Sequence, residues 1–552
     1  MKYPIGIQSF ETLRKDGYVY VDKTDLVYKL AQGHIYFLAR PRRFGKSLLI
    51  STLKAYFEGR RDLFEGLKMK ELETEWTKYP VISFDFNGIV PSLENGLRSN
   101  ITATLQATEK RYGVSTLMLN DGTDVTANVS LRFKHLIEEL HEKTGQRVVV
   151  LIDEYDKPLL DLLDTGSTDD EQQLIANREL LKAFFSIFKS TDDHLRFVML
   201  TGITKFSQVS MFSGFNQPDD ISLDNRYDKL LGITEEELHT VFAEGITELA
   251  EAIGKSEEET KELLKRRYDG YHFSERMIDV YNPFSILNTF SKLRMNDYWF
   301  SSGTPSYLVR LLGNSQEDIM SYTSGEHSLD EFLNYKADSA KPLPMIFQAG
   351  YLTVKGYDPE FEMYRLNYPN NEVKQGLMTL LANDYLKPDG QTASWIQKIV
   401  RALRDGDLEQ LRKLFTGFLA ETPYSMRPKK DQKDRERLRV GEQSSGMLYF
   451  HYTFYLLMRL ISCYTVYTEK QLSEGRADYI IETPKYVYIF EFKLDGTADE
   501  ALRQINERGY ARAYEADARA QYIIGASFSS KTGTIEEWKI EELKLKKVKN
   551  VR

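Results

Sequence analysis

The chain has 552 residues, 41% of them hydrophobic and 28% charged, with a formal net charge of −9. That length predicts about three to four domains, and the acidic balance excludes a protein coated in basic surface. A single cysteine, Cys463, excludes a disulfide framework or zinc cluster within one chain and reads as buried filler in FYLLMRLISCYTVY. MKYPIGIQSF has no basic, then apolar, leader, and no apolar run reaches membrane-spanning length. The expectation is a cytoplasmic protein with no membrane partner.

In chain order, HIYFLA at His34–Ala39 predicts a buried strand and SLLISTLKAYF at Ser47–Phe57 an amphipathic helix, with RPRRFGKS between them. A Walker A loop follows G-x-x-x-x-G-K-[ST], in which backbone amides cradle phosphates, the Lys reaches the β/γ-phosphates and the hydroxyl binds magnesium. Here Arg40 replaces the first glycine, so the match is Gly45, Lys46 and Ser47. Arg40 disfavours positive φ, which predicts a reshaped loop. Arg42 and Arg43 either add positive charge beside the phosphates or contact another domain or subunit. The candidate nucleotide-binding loop is therefore Arg42, Arg43, Phe44, Gly45, Lys46, Ser47 and Leu48.

RVVVLIDEYD at Arg147–Asp156 predicts an apolar strand ending in two acids, the form of a Walker B element. Asp153 would support Mg²⁺ through water or Ser47, and Glu154 would polarise the attacking water. LRFVMLTG at Leu195–Gly202 predicts a further strand ending in Thr201, a polar group able to sense the γ-phosphate. An ordinary sheet edge is the alternative for each strand taken alone. A bare GK[ST] arises by chance in roughly a quarter of chains this long, and Gly254-Lys255-Ser256 is such a case. Its flanks predict a helix stop followed by a Ser N-cap.

The stretch from Ile233 to about Glu421 is charged and helix-rich, with turn signals at Asp269-Gly270, Asn282-Pro283 and Pro342. It predicts a helical or winged-helix-like lid and then a helical connector. RPKKDQKDRERLR at Arg427–Arg439 carries seven cations against three acids, and KLKKVKNVR closes the chain. Each is either a solvated segment or a phosphate contact.

Toward the C-terminus, YVYIFEFKL places Glu491-Phe492-Lys493 on a β-rich run, thirteen residues after Asp478 in GRADYII. ETPK between them predicts a tight turn, so a hairpin brings Asp478 and Glu491 together. Glu-x-Lys alone carries no weight, because it recurs at Glu259, Glu537 and Glu542, read as solvated charged stretches. A helix at Leu448–Ile461, a strand at Tyr464–Thr468, a helix at Ala498–Asp517 and a strand in QYIIGASF complete the predicted order. Asp478 and Glu491 would ligate Mg²⁺ or Mn²⁺, and Lys493 would orient water or stabilise developing charge. A structural ion pair is the alternative. The predicted first helix carries no acid, and Glu442 lies just before it.

MKYPIGIQSFETLRKDGYVYVDKTDLVYKL, YFLARPRRFGKSLLISTLKAYFEG, VVVLIDEYDKPL, MLTGITKFS, RYDGYHF and YNPFSIL together resemble the bacterial AAA-ATPase-like proteins that carry a C-terminal PD-(D/E)XK nuclease-like domain. The resemblance covers essentially the whole chain, least securely over about 300–430. It implies an α/β fold: a P-loop, AAA-like parallel-sheet core at 1–232, a lid at 233–335, a connector at 336–430 and a nuclease-like α/β domain at 431–552. In that family the RPRRFGKS loop is normal. The resemblance sets Asp22 and Lys23 at the nucleotide base or ribose, a structural turn being the alternative, and Gln504 at a polar position lining the nuclease site. The expected cofactors are ATP and Mg²⁺, with Mn²⁺ as an option at the nuclease site. The expected function is an ATP-binding, ATP-hydrolysing protein whose nucleotide state controls a nuclease acting on nucleic acid, DNA favoured. A homo-oligomer stays open. The alternative is a nucleotide-gated interaction or sensor protein with an inactive nuclease fold.

Overall fold

The structure is a computed structural model and describes residues 1–89, 95–117, 128–163, 168–205, 218–302, 308, 321–334, 341–377, 392–421, 465–472, 475–515, 517 and 519–543. The chain divides into two compact units, Met1–Lys374 and Gln375–Arg552. Cys463, Glu442, the predicted helix Leu448–Ile461 and the basic stretches at 427–439 and 544–552 lie outside the described residues.

The N-terminal unit is built on five parallel strands: β1 Ile35–Ala39, β2 Val81–Asp85, β3 Val148–Asp153, β4 Leu195–Gly202 and the short β5 Asp219–Asp220. Their order across the sheet is β2-β3-β4-β1-β5. Strands β1, β3 and β4 are nearly continuous apolar runs because helices cover both faces of a parallel sheet; every residue of β3 is buried. Since β4 lies between β1 and β3, the C-terminal ends of these three strands meet at one edge. Ligands of open α/β sheets bind at that edge. Helix α1, Lys46–Phe57, leaves it directly after β1.

Beyond the sheet, the helices Glu235–Val241, Ala243–Ile253 and Glu257–Tyr268 and helix α2, Pro283–Lys292, share a core of Leu238, Phe242, Ile246, Leu249, Leu264, Ile286 and Phe290. Tyr3, Val19 and Val21 of the N-terminal segment pack against it. Gly254 closes one of these helices at φ 68, and Ser256 opens the next with a capping box to Glu259. The second GKS is thus two helix ends back to back.

Among the described residues, short strands interrupt the helices expected of the rest of the middle region. After helix α3, Tyr298–Ser301, the described elements are the helix Ser321–Ser324, β6 Glu326–His327, the helix Leu329–Leu333, helix α4 Leu343–Gln348, β7 Thr353–Asp358 and β8 Met363–Asn367. The sheet order is β6-β8-β7, the strand and helix order of a winged helix. Short strands amid charged residues gave no period-2 signal long enough to read.

The C-terminal unit carries a mixed sheet in the order β13-β12-β11-β10-β9: β9 Thr465–Leu472, β10 Gly475–Glu482, β11 Tyr486–Leu494, β12 Ala520–Phe528 and β13 Ile535–Leu543. β10 and β11 form the expected hairpin, and β12 runs parallel to β11. Helix α5 spans Ala498–Glu507 and a 3-10 turn follows at Tyr510–Tyr514, so the single helix expected to Asp517 is broken at Gly509. Leu502, Ile505, Tyr510 and Tyr514 pack on Ala477, Ile480, Val487, Ile489 and Ile523. Glu537 and Glu542 are exposed, as expected, and lie on β13, an edge strand antiparallel to β12.

Candidate functional site

The loop after β1 differs from its sequence expectation in where the backbone turns. Arg40 keeps a negative φ; the left-handed residues are Arg43 at φ 67 and Gly45 at φ 97. Arg40 is instead a buried strut, its guanidinium donating to the carbonyls of Ala39 and Ser222 and stacked 4.0 Å from the Phe273 ring centre. Gly45 forms the N-cap of α1 with no side-chain cap, which leaves the first amides of the helix open to an anion. A Cβ placed on Gly45 meets nothing within 4 Å, so φ alone requires glycine there.

Lys46 is buried, and its Nζ donates to the carbonyls of Arg40 (3.0 Å) and Pro41 (3.2 Å). Burial pulls its pKa down, while Glu154, Asp153 and Asp156 oppose that shift. Asp153, at the end of β3, accepts a 2.5 Å hydrogen bond from the Thr201 hydroxyl at the end of β4 and a 3.1 Å bond from the Glu154 amide. The sheet therefore joins Asp153 and Thr201 directly. Glu154 sits at φ 52, a costly conformation for a non-glycine residue, and burial raises its carboxyl pKa.

Arg42, Arg43, Gly45, Lys46, Ser47, Leu48 and Glu154 line one cleft. Gly45 and Leu48 also line an adjoining cavity whose other walls include Val19, Val21, Leu231, Ile233 and Leu287. Phe44 touches that cavity but is buried against Tyr271 and Phe273. Lys23 lines the cavity while pairing with Glu237 at 2.6 Å. Asp22 serves a turn: it accepts from the Thr24 amide and hydroxyl and from the Lys68 amide. Sequence reasoning missed Asp156, which is buried and accepts from the amides of Ile203 and Thr204 and the Thr204 hydroxyl, tethering the loop after β4. Its position three residues after Asp153 was the available signal.

In the C-terminal unit the β10–β11 register pairs Tyr479 with Phe490, and one further step sets Asp478 opposite Glu491. Asp478 Oδ2 accepts from the Phe492 amide at 2.8 Å. Glu491 and Lys493 share a face of β11. Lys493 Nζ reaches Glu491 Oε1 at 3.2 Å and Gln504 Oε1 at 2.6 Å, and the Gln504 amide lies 3.4 Å from the Tyr510 hydroxyl. All four expected residues are thus brought together. One further group escaped the sequence reading, Tyr510; Glu537 of β13 accepts from the Ala498 amide at 2.8 Å and braces the start of α5.

Glu491 Oε2 is buried without a hydrogen-bond partner among the described residues. Burial first, then the charge of Asp478, pushes the Glu491 pKa up to about 8. An orphaned carboxylate oxygen beside a second acid suits a divalent cation. Among the described residues, no group of three or more His, Cys, Asp or Glu side chains is placed to hold a metal.

A parallel P-loop core and a mixed-sheet unit with Asp, Glu-x-Lys and Gln converging define a chain that joins an AAA-like domain to a nuclease-like domain. The family model "Predicted AAA-ATPase" matches residues 4–212, and that of the PD-(D/E)XK nuclease superfamily matches 448–538. The chain is 34% identical over 559 positions to an "Uncharacterized protein in vnfD 5'region" of Azotobacter chroococcum mcd 1, covering 98% of this chain and 99% of the relative. It belongs to the family of that protein, AAA-ATPase-like proteins with a PD-(D/E)XK nuclease superfamily domain. No helix among the described residues is long and apolar enough to cross a membrane.

Proposed function

We propose that the protein binds and hydrolyses ATP, and that its nucleotide state controls a metal-dependent nuclease acting on nucleic acid, with DNA the favoured substrate. The open amides at Gly45 and the side chains of Lys46, Arg42 and Arg43 suit the phosphates, and the apolar cavity beside Gly45 and Leu48 suits the base. Ser47 and Asp153 would hold Mg²⁺, Glu154 would orient the attacking water, and Thr201 would read the γ-phosphate through its bond to Asp153.

At the second site Asp478 and Glu491 would hold Mg²⁺ or Mn²⁺. When bound, such a cation polarises a phosphate and lowers the pKa of coordinated water. Lys493, fixed by Gln504, would orient that water or meet the charge that develops on the phosphate. The observation that carries the nuclease reading is the buried, unpartnered Glu491 Oε2. A plain ion pair with Lys493 explains Oε1 and leaves Oε2 without a purpose.

One observation favours a second reading, a nucleotide-gated sensor with an inactive nuclease fold: the site offers only two carboxylates among the described residues. Incubation with single- and double-stranded DNA and RNA, with and without ATP, in Mg²⁺ and in Mn²⁺ separates the two. Cleavage that depends on the divalent cation supports the nuclease. Absence of cleavage under every condition leaves the sensor.

A further inference from the structure

The phosphate loop contains no glycine from Arg40 to Phe44, and Arg43 within it holds a left-handed backbone. Such a loop cannot owe its shape to intrinsic preference, so something outside it must hold it. Three successive carbonyls of the loop each receive a side-chain donor. Arg40 and Pro41 are held by Lys46 Nζ, and Arg42 is held by the indole Nε1 of Trp299 at 3.1 Å. Only the last of these donors is independent of the nucleotide, because Lys46 is the group that must turn toward the phosphates.

Trp299 is itself fixed. It has no exposed surface, and it packs edge-on to Tyr351 with ring centres 5.3 Å apart. The Arg42 guanidinium lies 5.3 Å from its ring centre. Its backbone amide donates to Glu372 Oε1 at 2.7 Å, and Glu372 Oε2 accepts from the Ser285 hydroxyl at 2.7 Å. On the same side Gly350, at φ 91, approaches so closely that a Cβ would lie 2.6 Å from Pro41 Cβ. α3, the turn after α4 and residue 372 therefore form a backstop for Arg40–Arg42, built from a region far along the chain.

We propose that Trp299 is a positioning residue of the nucleotide site: with Glu372 and Gly350 it holds the Arg40–Arg42 backbone in its phosphate-binding shape. This rests on the ATP-binding reading above. The role concerns the loop shape common to ground and transition states, so its loss weakens ATP binding and leaves turnover of bound ATP unchanged.

The test measures ATPase KM and kcat, the affinity for a fluorescent ATP analogue with Mg²⁺, and thermal unfolding, for the full chain and three variants. Trp299→Phe keeps a six-membered aromatic ring but loses the indole N–H and the pyrrole ring's volume, which thermal unfolding registers; it is expected to raise KM and the analogue's Kd about fivefold, with kcat within about twofold of the parent. Gly350→Ala leaves the indole hydrogen bond in place and pushes on Pro41, whose Cβ lies 2.6 Å from where the new Cβ would sit, so KM and Kd rise with Trp299 intact. It decides the question if Trp299→Phe fails to fold. Lys46→Ala is the control. If Lys46→Ala abolishes binding while Trp299→Phe and Gly350→Ala bind like the parent, the backstop is overturned and the ATP reading stands. If the parent binds no nucleotide, the ATP reading falls and this inference falls with it.

Discussion

Lys46 spends its charge on two loop carbonyls and is held below its ordinary pKa by burial, so a phosphate arriving at Gly45 gives it a far better partner. Lys46→Ala should therefore abolish measurable ATP binding in a calorimetric titration, whereas Lys255→Ala, in the exposed turn between two helices, should leave it unchanged. Equal effects from the two changes would remove the site assignment. The role proposed for Glu154 is separate, since orienting water matters only after ATP is bound. Glu154→Gln should retain ATP and lose at least about a hundredfold in turnover; turnover at the parental rate would show that another group orients the water. Glu491 adds a pH dependence. Its pKa rises from 4.5 to about 8 on folding, so between those values the folded unit holds a proton that the unfolded chain has released. Its contribution to metal-free stability is then fully present below 4.5 and is lost as pH rises to about 8. A cation competes for the same oxygen, so Mg²⁺ or Mn²⁺ binding should tighten as pH rises through that window. Glu491→Gln should remove the tightening; an unaltered pH profile of metal binding in that variant counts against the site.

The hairpin that sets Asp478 opposite Glu491 was legible because β11 is a long apolar run joined to β10 by a short turn, and the nucleotide core was legible because β1, β3 and β4 are apolar runs, with Asp153 closing β3 and Thr201 near the end of β4. Elements without such runs were not. β6 and β8 are short and flanked by charge, and β13, IEEWKIEEL, has acidic residues where a strand signal needs β-branched or aromatic ones. The same limit hid Trp299 and Glu372, whose meaning lies in contacts 257 and 73 positions away in the chain, respectively: the loop carbonyl of Arg42 for the indole, and the Trp299 amide for the carboxylate. Helix α5 shows how a small local device serves a site. Thr497 and Glu500 form a capping box at its start, and the helix carries Gln504 to Lys493. Thr497→Ala should cost about 0.5–2 kcal/mol of stability in chemical denaturation, and should lower cleavage further than that loss of folded protein explains, because Gln504 is displaced. A fall in activity that merely tracks the folded fraction would show that α5 is a support for the sheet and no more.

At the scale of the molecule the two units have separate cores, which makes the C-terminal one testable alone. Where it is cut decides the result. The helices Thr392–Asp405 and Leu408–Glu421 belong to that unit: the Tyr488 hydroxyl donates to the Leu403 carbonyl at 2.7 Å, and Gly406 lies against the Tyr486 ring. Residues 375–552 should therefore unfold in one cooperative transition, while 431–552, stripped of both helices, should melt at a lower temperature, because a buried hydroxyl and an apolar face lose their cover. The longer piece then reports on the metal. Asp478 and Glu491 repel one another when both are ionised, and a divalent cation relieves that repulsion, so Mg²⁺ or Mn²⁺ should raise the melting temperature at pH above about 8. Asp478→Asn should abolish most of the rise. Lys493→Ala should keep it and lose cleavage, since the role proposed for Lys493 is on the water and the phosphate and the change leaves both acids in place. If neither metal raises the melting temperature of residues 375–552 and the full chain cleaves nothing in any nucleotide state, the acids are a structural pair and the C-terminal unit recognises a partner without cutting it.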